Sequence, residues 1–151
     1  MGRGAMTLAV KRWIAGLLAV SAAYVGVWAA AFPVSFYNDF PGPRKNWVSI
    51  LGPYSEHLVR DVGALYLALL VLSVWAWRRP TADAMRVTGG AWLIFNSIHF
   101  LWHMLHLEMF ETIDKIGNAV SLGGVLVLSI LLLLPVRRLP VKDAVASSEH
   151  G

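Results

Sequence analysis

The chain has 151 residues and a formal charge of +4, yet only 15% of its residues are charged and 57% are hydrophobic, with a mean hydropathy of +0.59. That balance excludes an ordinary soluble domain and reads as an integral membrane protein. With no cysteine, a disulfide framework and thiolate metal ligation are excluded too.

Four apolar runs, residues 13–32, 58–77, 87–107 and 116–136, are each long enough to cross roughly 30 Å of hydrocarbon at about 1.5 Å per residue. They predict an all-α polytopic membrane protein, a four-transmembrane-helix bundle that forms a single domain over residues 1–151. The first run begins after Lys11 and Arg12 and carries Ala19, Ala22, Ala23, Gly26 and Ala30, small residues at spacings that let helices approach closely in lipid. Its basic start and the WAAAFP segment also fit a cleaved signal peptide, but a run near twenty residues favours a retained span. The loop over 33–56 contains Pro33, Pro41, Pro43 and Pro53, which rule out one continuous helix; within it NWVSIL suits the membrane interface. The polar tail, residues 140–151, is expected to be disordered, with His150 solvated.

The basic residues flank the runs instead of forming a patch, so the charge orients the chain and nucleic acid is not a partner. Arg3, Lys11, Arg12, Arg78, Arg79, Arg86, Arg137, Arg138 and Lys142 gather on one side, against Arg44, Lys45, Arg60 and Lys115 on the other. Both termini are therefore expected in the cytoplasm. Trp13, Trp75, Trp77 and Trp92 would anchor the inner interface, and Trp28, Trp47 and Trp102 the outer one.

Two polar clusters interrupt the apolar spans. In NSIHFLWHMLHLE, residues 96–108, His99, His103 and His106 fall within roughly 60° of one another on a helix, and Asn96 extends that stripe. YSEHLVRD brings Glu56, His57, Arg60 and Asp61 to the mouth of the second span. Ion pairing of Arg60 with Asp61 or Glu56 would seat the helix at the headgroups, whereas charges inside a span call for partners or water. The second span runs inward and the third outward, so both clusters lie at similar depth in the outer half of the bilayer. In a short-loop bundle, Glu56, His57 and Asp61 could then face His99, His103 and His106 across one pocket. Glu108, Glu111 and Asp114 would sit above it, and Asp39 could close over it.

Histidine with carboxylate and no thiol suits a divalent transition metal, iron, zinc, copper or manganese, held by His57, His99, His103, His106, Glu56 and Asp61. Glu56, Arg60 and Asp61 are the candidate catalytic groups: a carboxylate can orient an imidazole, and Arg60 can hold an anionic substrate group. Haem is an alternative, with His57 and His99 or His103 as axial ligands and Gly63 and Ala64 leaving room for a macrocycle. A proton relay, or a site for a polar lipid headgroup or quinone, needs no metal.

The H-x3-H-x2-H spacing of His99, His103 and His106 resembles one histidine box of the membrane-bound diiron desaturases and hydroxylases. That likeness covers eight residues, and the chain has four histidines outside its tail where those families use about eight in several boxes, so no diiron site is carried over. GPYSEHLVRDVGALYLALLVL, FYNDFPG and the histidine span together resemble small uncharacterised four-helix membrane proteins of actinobacteria, broadly DoxX-like, over roughly residues 33–110. The resemblance implies four helices and a bacterial cytoplasmic membrane, and no activity. The expectation is a His/carboxylate metal pocket, with redox or hydrolytic chemistry on a membrane-soluble substrate. The alternative is a non-catalytic accessory or scaffold subunit of a larger membrane complex; the expected partners are the lipid bilayer and either such a complex or further copies of the chain in a homo-oligomer. A small carrier is disfavoured because no inverted repeat or broken helix is present.

Overall fold

The computed structural model describes residues 6–43 and 45–136, which are almost entirely helical. Five α-helices follow in order: α1 (Leu8–Ala31), α2 (Pro33–Asp39), α3 (Glu56–Arg78), α4 (Ala82–Leu105) and α5 (Thr112–Leu133). Single 3-10 turns at Ser49–Leu51 and Leu107–Met109 punctuate the two loops. The expected tail lies outside the described residues, as do Arg3, Arg44, Arg137, Arg138, Lys142 and His150.

Local chemistry sets these boundaries. Thr7 and Thr81 accept hydrogen bonds from the Val10 and Ala84 amides, at 3.3 and 3.1 Å, capping α1 and α4. Pro33 terminates α1 and takes the first position of α2, where its missing N–H costs nothing. Pro135 ends α5 by forcing Leu134 out of helical geometry, at φ −57° and ψ 153°.

By length and composition α1, α3 and α5 can each cross a membrane. The expected fourth span, α4, is 24 residues long but less apolar, because Asn96, Ser97, His99 and His103 interrupt it. The helices associate as two pairs, α1 along α3 and α4 along α5, with lighter contact between the pairs. Small residues allow the first pairing. A Cβ on Gly63 would stand 2.5 Å from the Ala30 nitrogen, and one on Gly26 would stand 3.1 Å from Leu67. In the second pair, Gly89 plays the same part against Leu132 at 2.8 Å.

Polar side chains tie these elements together. Asn96 Nδ2 donates to Ser129 Oγ at 2.9 Å, joining α4 to α5, and Trp92 Nε1 donates to Ser73 Oγ at 2.8 Å, joining α4 to α3. Asn96 is therefore spent on helix packing and does not extend the histidine stripe. Trp92 is fully buried, so it is a core residue instead of an interfacial anchor.

Lys11 is 1% exposed and donates from Nζ to the carbonyl oxygens of Leu132, at 2.8 Å, and Leu134. These are orphan carbonyls at the end of α5, which carries partial negative charge. Met6 N–H also donates to the Pro135 oxygen at 2.9 Å, so the two ends of the described chain meet at one end of the bundle. Lys11→Met removes both charge-assisted bonds, and an expected loss of about 1.5–3 kcal/mol should appear as a lower thermal midpoint in detergent.

Candidate functional site

At the opposite end of the bundle from Lys11, a cavity of about 590 Å³ opens between the two helix pairs beneath the loop that follows α2. Val59, Val62 and Tyr66 of α3 form one wall, and Val125 and Leu122 of α5 another. Phe36, Phe40 and Trp47 close it from the loop side. Most of the lining surface is apolar, and among the described residues no Asp, Glu, Lys or Arg contributes to it. Tyr24, Leu58, Val62 and Ser121 line the cavity and are also exposed at the protein surface, so its rim belongs to apolar helix flanks as well as to the loop.

Polar side chains reach the cavity from all five helices and the loop after α2, including Ser21 and Tyr24 of α1 and Tyr37 of α2. His99 and His103 extend from α4, with ring centroids 4.6 Å apart at 65°. His99 stacks on Phe95 at 5.2 Å, and Phe95 meets the edge of Tyr66 at 5.1 Å. Asn118 comes from α5 and Trp47 from the loop, and Tyr66 lines the cavity from α3. His103 Nδ1, Asn118 Nδ2 and Trp47 Nε1 are buried without a hydrogen-bond partner. Asn118 approaches His103 and Trp47 approaches Asp114, but neither approach has hydrogen-bond geometry. Three orphaned polar atoms around one cavity is unusual, because leaving a buried donor or acceptor unpaired costs about 1–3 kcal/mol.

The expected grouping forms only in part. His99 and His103 share the cavity, whereas His106 does not line it. The helix ends at Leu105, and His106, at φ −125° and ψ 25°, stacks on Trp102 at 4.1 Å and places Nδ1 2.7 Å from the Trp102 carbonyl oxygen. Glu56, His57 and Asp61 do not line it either. His57 Nε2 sits 3.3 Å from Asp61 Oδ2, with their side chains 83% and 59% exposed. Arg60 pairs with Glu56 at 2.8 Å and donates to the Ala30 oxygen at the end of α1, which is the seating role open to it from the sequence.

The physical reason is the rotation of α3. Its buried stripe of Val59, Gly63, Tyr66 and Ser73 faces inward, and His57 and Asp61, each two residues from Val59, point about 160° away. The expected six-residue ligand set is therefore dispersed, and no group of three His, Asp or Glu with metal-site geometry occurs among the described residues. The haem arrangement fails on two counts. His57 faces away from the histidines of α4, and the space expected at Gly63 is filled by the backbone of α1.

The loop is held against α5. Lys45 Nζ bonds Asp114 Oδ1 at 2.6 Å, and the Trp47 ring lies on Gly117, where a Cβ would come within 2.9 Å of it. Asp39, expected as part of a closure, instead accepts from Ser35 Oγ at 3.1 Å. Asp114→Asn is expected to loosen residues 45–52 with little change in global stability. Faster amide exchange confined to that segment is the readout.

Sequence reasoning does not single out Tyr66, Trp47 or Asn118 as site residues. Asn118 carries the clearest signal, since a lone amide in a strongly apolar helix calls for a partner. No match was found among curated proteins or solved structures. The description Domain of unknown function (DUF4345) matches residues 10–96, which takes in α1 to α3 and α4 as far as Asn96 and stops before His99, His103 and α5. That match covers more than half of the chain, which therefore belongs to the DUF4345 family.

Proposed function

We propose that this is a four-span membrane protein, with α4 as the fourth span and both termini cytoplasmic, that binds a membrane-soluble molecule in the cleft between its helix pairs. The observation that carries the reading is the cavity itself. A space of about 590 Å³ lies within the range of small-molecule sites, its walls are mostly apolar, and polar groups converge on it. The rim on helix flanks suits entry from lipid. The charge distribution supports cytoplasmic ends, and neighbours on both sides shield the polar face of α4.

The test is organic extraction of protein purified in mild detergent, with mass spectrometry of the extract. One lipophile retained per chain, enriched above bulk membrane lipid, is the expected result. An extract identical to bulk lipid contradicts the reading.

Metal binding at the cleft is a second proposal, favoured by the i, i+4 spacing of His99 and His103 and by the unpartnered His103 Nδ1. The pair supplies two imidazole ligands, so the remaining positions of an iron, zinc, copper or manganese ion would fall to the bound molecule or to water. Elemental analysis should then give about one metal per chain in the native protein and none in His103→Leu. Equal metal content in the two would sink that reading.

A further inference from the structure

We propose that the occupant of the cleft is a neutral lipophile whose head carries carbonyl-type hydrogen-bond acceptors, the chemistry of a quinone. This rests on the cleft being a lipophile site. The first support is the absence of charge, since among the described lining residues no cation faces inward to meet a carboxylate or phosphate and no acid to meet an amine. An ionised head brought here would lose its hydration without a counter-charge, which disfavours fatty acids, amines and phospholipids.

The second support is the kind of polarity left unfilled. The Trp47 indole N–H can only donate; it is buried and approaches the Asp114 carboxylate without reaching hydrogen-bond geometry. The Asn118 amide brings two further donors, with Nδ2 also unpaired, and each neutral imidazole of His99 and His103 presents one N–H. Tyr66 lines the cavity from a third helix. A ligand carrying acceptor oxygens completes this set, whereas a pure hydrocarbon leaves it open. The donors also reach the cavity from the loop, α4 and α5, so they approach from different directions. A head with two separated carbonyl oxygens answers that layout better than a single terminal hydroxyl. The aromatic group of Tyr66, Phe95 and His99 gives such a ring edges and faces to pack on.

The test uses the full chain in phosphatidylcholine nanodiscs and three probes with similar apolar bulk: decylubiquinone, oleate and decylbenzene. Decylubiquinone should bind saturably at one per chain, with oleate at least 10-fold weaker. Trp47→Phe and Asn118→Leu each remove donors while keeping bulk, and each should weaken decylubiquinone about 3- to 10-fold while leaving decylbenzene unchanged. Retained decylbenzene binding also shows that the variants are folded. Oleate binding as tightly as decylubiquinone, or variants that bind decylubiquinone like the native chain, overturns the proposal while leaving the lipophile site standing. If none of the three probes binds saturably, the site reading falls and this inference with it.

Discussion

Gly63→Ala should separate α1 from α3. The added Cβ would lie 2.5 Å from the Ala30 nitrogen and 2.9 Å from its Cα, and both are backbone atoms with no rotamer by which to yield. Relief requires the two helices to move apart along their whole contact, which also involves Gly26 against Leu67 and the fully buried Ala22 and Ala29. Overpacking of this kind costs about 1–3 kcal/mol, and a backbone clash belongs at the upper end. Gly90→Ala provides the contrast. Nothing lies within 4 Å of the methyl added there, so the change should be neutral or should stabilise α4 by up to about 1 kcal/mol through helix propensity. Thermal midpoints of the two variants in one detergent check both directions.

Val62→Trp should empty the cleft of its ligand without unfolding the protein. Val62 lines the cavity yet is 38% exposed, so a larger side chain there can spread across the opening without being forced into packed core. The extracted lipophile is expected to fall at least 10-fold, while the thermal midpoint moves by only a few degrees apart from whatever stabilisation the ligand itself provides. A variant that retains the ligand in full would place the binding elsewhere.

Helix positions were readable from the sequence because they depend on local chemistry. Apolar runs and the break at Pro33 placed each long helix within about five residues, although the fourth run was drawn through Pro135 to residue 136. The start of α3 and the end of α4 do meet at one end of the bundle, since Val59, Val62 and Tyr66 share one cavity with His99 and His103. What failed was rotation. Hydropathy does not say which face of a lipid-embedded helix turns inward, because lipid and core are equally apolar.

On α3, the conspicuous residues Glu56, His57, Arg60 and Asp61 drew attention, and the inward stripe was the inconspicuous one through Gly63 and Tyr66. A glycine between larger residues was the usable sign of close approach. His106 was lost for a different reason, since a helical projection holds only while the helix lasts and α4 stops one residue earlier. Lys11 read as an orientation signal, and its contact with the end of α5 depends on a partner 121 residues away, which no local pattern reveals.

Photolabelling with phenyl(trifluoromethyl)diazirine in native membranes reads out whether a membrane-soluble molecule enters this cleft. Saturable adducts are expected at cleft residues such as Tyr66, His99 and Leu122, lost in Val62→Trp, above non-saturable labelling of outward residues such as Ile98 and Val120. Adducts confined to the outward residues, unchanged by Val62→Trp, would contradict entry into the cleft.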